Sequence, residues 1–453
     1  MADLSINMCG IESPNPFWLA SGPPSNCGEQ VMRAFDAGWG GAVWKTLGEP
    51  IVNVSSRLGS IDYEGNRMSG LNNIELITDR PLKTNFEEIY EVKKRYPKHA
   101  VVVSLMVNSR EDWREIIQRS EDAGADGLEL NFGCPHGMCE RGMGSSVGQE
   151  PDVLSRITSW AKEFATVPVL IKLTPNVGDI LVPGVAAVEG GADGLSLINT
   201  IKSIIGVDLE KLVPLPSVRD KSTNGGYCGP AVKPIALHMV GALARDPRIN
   251  IPISGIGGIG NWRDAAEFIA LGATSVQVCT AVMHYGYRIV EDMIDGLSNY
   301  LDDMNLSSVS ELVSKAIPHY TDWGNLDLNY KVIADIDAKK CIGCQLCYIA
   351  CLDGAHQCIH TRQSPCSAFH GTSDHGMNPR IKVQTPITHS QKAHVPEYVP
   401  FVDDAECVGC NLCHLVCPVP GCITMVDSST GSESGSWNER LSKMENTKQR
   451  NRI

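Results

Sequence analysis

Eight cysteines in the C-terminal part of the chain fall in two runs of one spacing. They are Cys341-x-x-Cys344-x-x-Cys347-x-x-x-Cys351 and Cys407-x-x-Cys410-x-x-Cys413-x-x-x-Cys417, the second closed by Pro418. Thiolates at this spacing wrap around a four-iron cubane, and in two-cluster ferredoxins the fourth cysteine of each run serves the other cluster. The pattern therefore predicts one [4Fe–4S] cluster on Cys341, Cys344, Cys347 and Cys417, and a second on Cys407, Cys410, Cys413 and Cys351. Two alternatives stand beside this. Structural zinc usually takes its ligands as two separated pairs, which these short steps fit poorly. Disulfides belong to secreted chains, and the N-terminus MADLSINMCG is neither basic nor followed by an apolar run. The first run ends in Cys351-Leu352 rather than Cys-Pro, which loosens a turn without removing a ligand.

A length of 453 residues allows two or three domains. With 43% hydrophobic and 20% charged residues the chain has an ordinary globular composition. A net charge of −13 disfavours nucleic acid and anionic membrane surfaces as partners. No stretch approaches the roughly 20 apolar residues of a membrane helix. Seventeen cysteines, eight of them at iron–sulfur spacing, are expected in a reducing cytoplasm.

Residues 1–285 alternate strand-like and helical stretches. Eight apolar runs stand out: Phe17–Ser21, Ala42–Thr46, Val101–Val107, Gly127–Asn131, Val169–Leu173, Gly194–Asn199, Ile251–Ile256 and Ser275–Thr280. They lack the alternation of half-exposed strands, so both faces are expected to be buried. Several follow a helix-stopping glycine, as in Ala37-Gly38-Trp39-Gly40-Gly41, Ala123-Gly124-Ala125-Asp126-Gly127, Gly190-Gly191-Ala192-Asp193-Gly194 and Leu271-Gly272-Ala273-Thr274-Ser275. Eight parallel strands of this kind predict an α/β fold, a (β/α)8 TIM barrel, with a doubly wound sheet as the alternative. Residues 286–334 read as a helical connection. Tyr287–Asp303 is amphipathic, and Ser308-x-x-Glu311 is a capping box for a second helix. A small α+β ferredoxin-like domain follows at 335–426. Its insert at about 352–400 carries six histidines, Cys358 and Cys366, and reads as a solvated loop because no ligand spacing repeats. The polar tail, 427–453, is expected to be disordered.

Barrel active sites form at the C-terminal ends of the strands. There the chain places Lys45-Thr46, Asn131-Phe132-Gly133-Cys134-Pro135, Lys172-Leu173-Thr174-Pro175-Asn176, Asn199-Thr200, Gly255-Ile256-Gly257-Gly258-Ile259-Gly260 and Cys279-Thr280. Six polar ends on apolar strands are hard to read as packing. Residues 255–260 spell G-x-G-x-x-G, but no acid ends the following strand to hold a ribose. Backbone N–H groups after the seventh and eighth strands suit a phosphate instead, so the loop reads as a site for flavin mononucleotide (FMN). Lys45 and Lys172 would face the flavin, where positive charge stabilises the reduced anion; otherwise they form surface ion pairs.

Cys134 sits in a loop with glycines at 133, 137, 142 and 144, the composition of a mobile lid. A free thiol, with a pKa near ~8.5, stays mostly protonated at neutral pH and can donate a proton to carbon. The plainer reading is a small buried hydrophobe. Cys9, Cys27, Cys139, Cys228 and Cys279 read as structural or supporting cysteines.

Asn131–Gly148 (NFGCPHGMCERGMGSSVG), Lys172–Asn176 (KLTPN), Asn72–Leu76 and the paired cysteine runs resemble the dihydropyrimidine dehydrogenases over about residues 4–426. The chain is most similar to the FMN and iron–sulfur subunit of the bacterial NAD-dependent enzymes. The resemblance implies reduction of uracil and thymine to their 5,6-dihydro forms. Cys134 resembles the general acid that protonates C5 while C6 receives hydride from FMN N5. Ser21, Lys45, Thr46, Lys172, Gly229, Ile256, Gly257, Gly258, Cys279 and Thr280 match FMN-contacting positions; Asn73, Asn131, Asn199 and Thr200 match pyrimidine-binding ones. An Asn amide offers both donor and acceptor, as a uracil edge requires. The resemblance also implies a separate NAD(H)-oxidising flavoprotein subunit with FAD and its own clusters, in a heterotetramer. The family loop usually reads Asn-Leu-Ser-Cys, whereas here Phe132 and Gly133 precede Cys134. Two other readings stay open: a dihydroorotate oxidoreductase on a similar barrel, and an electron-transfer subunit without catalysis. Orotate would call for a cationic partner to its carboxylate, and none is evident beside the four pyrimidine positions.

Overall fold

The computed structural model describes residues 2–48, 57–63, 66–135, 142–363, 398–429, 431 and 433–450. Its contacts divide them into two compact units, Met1–Tyr320 and Thr321–Ile453.

The first unit is a closed parallel barrel. Its strands are β1 (Phe17–Leu19), β2 (Gly41–Leu47), β3 (Ala100–Leu105), β4 (Gly127–Asn131), β5 (Val169–Lys172), β6 (Gly194–Leu197), β7 (Ile253–Ile256) and β8 (Ala273–Val278). They neighbour one another in chain order, and β8 closes on β1 through Val276↔Phe17 and Val278↔Leu19. Closure excludes the doubly wound sheet. Each strand coincides with one of the eight apolar runs, and β2 to β7 are buried along their whole length. The sequence has no alternation there because helices cover the outside and side chains fill the inside.

Eight helices follow the strands in turn: α1 (Gly28–Ala37), α2 (Leu82–Arg95), α3 (Arg110–Asp122), α4 (Pro151–Phe164), α5 (Leu181–Glu189), α6 (Lys233–Arg245), α7 (Trp262–Ala270) and α8 (Ile289–Asp303). The chain turns from α1, α3, α5 and α7 into the next strand through Gly38, Gly124, Gly191 and Gly272, with φ of 113°, 89°, 88° and 110°. Only glycine takes such a φ without a Cβ clash, which is why the motif recurs. Ser109 caps α3, its hydroxyl accepting from Asp112 N at 3.1 Å.

The expected helix at Ser308–Glu311 does not form. Val309–Glu311 is a single 3-10 turn, Ser308 makes no side-chain cap, and Glu311 accepts from the Ser307 hydroxyl instead. The loops after β2 and β6 build an antiparallel sheet of Leu58–Tyr63, Asn66–Asn73, Gly225–Cys228 and Ile201–Ser203. Asn73 pairs in register with Gly226.

The second unit contains two strand pairs. β9 (Val332–Ile336) pairs with β12 (Ile423–Asp427), and β10 (Ile359–Gln363) with β11 (Tyr398–Val402). Short helices α9 (Leu346–Gly354) and α10 (Leu412–Val416) lie within the cysteine runs, α9 carrying Cys347 and Cys351 and α10 Cys413. Two expectations are corrected here. The insert does not begin at 352, because β10 and β11 form its base, and 364–397 with Cys366 lies outside the described residues. The tail carries a helix, α11 (Trp437–Arg450). Polar anchors hold its start: Asn438 Nδ2 donates to Asn325 Oδ1 at 2.8 Å and Arg440 to Asn329 Oδ1 at 2.8 Å. Among the described residues no helix is long and apolar enough to cross a membrane.

Candidate active site

The C-terminal ends of the barrel strands open into a cavity of about 710 Å³. Cys134, all ten positions matched to FMN and all four matched to pyrimidine border it. The loop segment 136–141 lies outside the described residues.

A hydrogen-bonded chain of small polar groups crosses the cavity floor. Ser21 Oγ and Thr46 Oγ1 are 3.1 Å apart, and Thr46 Oγ1 is 3.0 Å from Ser104 Oγ. Asn131 Nδ2 donates to Thr46 Oγ1 at 3.0 Å. Asn131 Oδ1 accepts from Asn199 Nδ2 at 3.0 Å and from Gly133 N at 3.2 Å. Asn199 Oδ1 accepts from Thr200 N at 2.8 Å, and Asn73 Oδ1 from Glu75 N at 2.6 Å. All three amide oxygens are thus engaged by the scaffold. An NH2 group carries two N–H bonds, so what these amides turn to a ligand is chiefly donor capacity.

Three lysines line the cavity, and each has a carboxylate partner. Lys45 Nζ is 2.9 Å from Glu75 Oε2, with both side chains under 10% exposed. Lys172 Nζ is 3.4 Å from Glu129 Oε1. Lys233 Nζ is 2.6 Å from Asp264 Oδ1 and 2.9 Å from Glu267 Oε2. Glu129 is fully buried, and its Oε2 accepts from Ser196 Oγ at 2.8 Å and Gln277 Nε2 at 3.1 Å. Removing such a group from water is costly, and these bonds with the lysine offset that cost.

Cys134 is buried among Ile77, Met106 and Met143. Its carbonyl accepts from Ser145 N at 3.0 Å, which ties the loop to the following turn. Gly133 lies so close to Asn199 that a Cβ there would stand 2.4 Å from Asn199 Cβ and 2.5 Å from its Nδ2. The missing serine of the loop is therefore space that Asn199 fills. Burial pushes the Cys279 thiol up to about 12 and raises that of Cys228, so both remain neutral S–H groups.

In the second unit the two cysteine runs border two cavities. Cys341, Cys344, Cys347 and Cys417 border one cavity; Cys351, Cys407, Cys410 and Cys413 border the other. Cys358 is not in a solvated loop: it is buried, with its Sγ 3.6 Å from Cys351 Sγ. Four thiols around a cavity suit a cubane, which takes one thiolate at each iron corner.

A sequence profile of dihydroorotate dehydrogenase matches residues 3–301. The chain belongs to the dihydroorotate dehydrogenase family. Within it, the chain is 45% identical to the NAD-dependent dihydropyrimidine dehydrogenase subunit PreA of Escherichia coli strain K12, over 79% of this chain and 87% of that protein. It is 40% identical to the chloroplastic dihydropyrimidine dehydrogenase (NADP+) of Arabidopsis thaliana, over 70% and 78%. The catalytic subunit of dihydroorotate dehydrogenase B from Thermococcus kodakarensis is 36% identical, over 70% of this chain and 99% of that one.

A dihydroorotate dehydrogenase barrel implies a flavin, and the cavity fits one. Gly257 and Gly258 take φ of 131° and 74°, and a Cβ on Gly258 would lie 2.9 Å from Gly229 O. Backbone is thus bared beside β7, where a phosphate needs N–H donors. Lys45, Lys172, Thr280 and this glycine loop border the cavity and could hold such a flavin. The sequence reading missed Glu75 and Glu129. Glu129 had a signal: it is the one charge in the otherwise apolar run Gly127–Asn131.

Proposed function

We propose that this chain reduces uracil and thymine reversibly to their 5,6-dihydro forms, with FMN in the barrel and two [4Fe–4S] clusters on the paired cysteine runs. The observation that carries the reading is the charge balance of the cavity. Every lysine that lines it faces a carboxylate, and the four side chains matched to pyrimidine contacts that border it are three amides and a hydroxyl. Such a site favours a neutral ring bearing carbonyls over a carboxylate substrate.

Bound flavin supplies the hydride that the ring receives at C6. The protein's own part is to orient and protonate. Asn73, Asn131, Asn199 and Thr200 hold the ring by its polar edge, and Cys134 keeps a proton at Sγ for C5. The apolar wall of Ile77, Met106 and Met143 keeps water from that proton. Electrons arrive through the clusters from an NAD(H)-oxidising flavoprotein partner carrying FAD, in a heterotetramer in the cytoplasm. Similarity to an archaeal dihydroorotate dehydrogenase subunit supports a second reading, oxidation of dihydroorotate.

The test is anaerobic photoreduction of the isolated chain followed by a panel of pyrimidines, which needs no partner. Reoxidation by uracil and not by orotate is expected; the reverse would select the second reading. Gly133→Ser probes the geometry more finely. It displaces Asn199 and should raise KM for uracil about tenfold, the worth of one hydrogen bond. An unchanged KM would remove Asn199 from the pyrimidine site.

A further inference from the structure

Each cluster cavity is bordered by a fifth cysteine that the crossed ligand sets leave over. Cys358 borders the cavity of Cys351, Cys407, Cys410 and Cys413, and Cys422 that of Cys341, Cys344, Cys347 and Cys417. Both are buried, 5% and 3% exposed. Cys358 Sγ is 3.6 Å from Cys351 Sγ and also hydrogen-bonds with Cys407. Cys422 hydrogen-bonds with Cys417 and, at 3.7 Å, with the carbonyl of Asp337.

The two positions are equivalent in an internal repeat. Asp403 N donates to Cys358 O at 2.7 Å, and Asp337 N to Cys422 O at 2.8 Å. The same two aspartates accept, through their own carbonyls, from Cys407 N and Cys341 N at 3.0 Å each. Each fifth cysteine stands directly before the isoleucine that opens a strand, Ile359 of β10 and Ile423 of β12. A buried thiol at one such point could be packing. The same thiol at both, each against cysteines of a single ligand set, calls for a common role.

Coordination is not that role. In a [4Fe–4S] cubane each iron binds three sulfides and one thiolate, so four cysteines complete it. What a thiol can still offer is its S–H, a weak donor; the acceptor beside Cys358 is the ligand sulfur of Cys351, and Cys422 has both the Asp337 carbonyl and the ligand sulfur of Cys417. Hydrogen bonds to the sulfurs are one of the protein's levers on a cluster's reduction potential. They stabilise the more negative, reduced form and so raise the potential.

We propose that Cys358 and Cys422 are paired tuning residues, whose S–H groups donate to the ligand thiolates of Cys351 with Cys407 and of Cys417, and hold both clusters at a higher reduction potential than the ligands alone would give. This rests on the reading of the two runs as cluster ligands. The test uses the full chain, purified anaerobically, with iron analysis and a redox titration followed by electron paramagnetic resonance. Cys358→Ala and Cys422→Ala should each keep about eight iron atoms per chain, keep the signal of reduced four-iron clusters, and lower the midpoint potential of one cluster. Cys358→Ser and Cys422→Ser retain a donor and should stay at or above the parent's potential. An alanine variant with its potential unchanged or raised overturns the proposal. So does loss of half the iron in either alanine or serine variant, which would make these cysteines ligands. A parent chain that binds no iron would instead overturn the cluster reading itself.

Discussion

Cys134→Ala should abolish uracil turnover while flavin absorbance and iron content stay at parental levels. General acids contribute about 10²–10⁴-fold to rate, and the buried wall around Cys134 offers no second thiol among the described residues to replace it. The substitution removes one sulfur from a site whose fold is held elsewhere, by Ser145 N on the Cys134 carbonyl and by the floor of amides. The measurement is single-turnover reoxidation of the photoreduced chain by uracil. A rate equal to the parent's would take the acid role from Cys134. Loss of flavin along with activity would show that the loop is needed for binding rather than for proton transfer.

The second large effect is on stability. Glu129→Leu should cost about 3–5 kcal/mol, the usual penalty for stripping one partner from a buried ion pair. The carboxylate faces Lys172 at 3.4 Å and is bound by Ser196 and Gln277, all buried in the barrel. Without it a buried ammonium and two buried polar side chains lose their partner. Glu129→Gln keeps the shape and one acceptor, and should cost less. Thermal unfolding of the two variants beside the parent reads the difference. Equal melting temperatures for Glu129→Leu and the parent would show that Lys172 finds another partner, and that the pair is not what holds the barrel's polar centre.

The barrel was legible because its strands are buried on both faces. A run such as Val101–Val107 can satisfy its side chains only inside a covered sheet, and the glycines before β2, β4, β6 and β8 mark where the helix had to stop. The cysteine runs stood out for a different reason: one spacing occurs twice, and the fold brings four of these thiols to each of two cavities. Other features were written in three dimensions only. Cys358 follows Cys351 by seven residues, whereas Cys422 follows Cys417 by five, so no sequence period links them. The helix over Trp437–Arg450 hides in a polar stretch because Asn325, Asp327 and Asn329, far away in sequence, supply its anchors. The partnering of Lys45 with Glu75 likewise depends on how the sheet carrying Asn73 returns over the barrel. Gly133 departs from the usual family loop in sequence, but its meaning, room for Asn199, lies in the fold.

The crossed thiols of the second unit set a limit on timing. One cavity combines Cys351 with Cys407, Cys410 and Cys413, and the other waits for Cys417. A ribosome that has made the whole barrel and the first cysteine run has therefore produced neither complete set of ligands. On the proposed assignment, one set of four thiols is complete only once Cys413 has been made and the other only with Cys417, so cluster insertion has to follow synthesis of both runs.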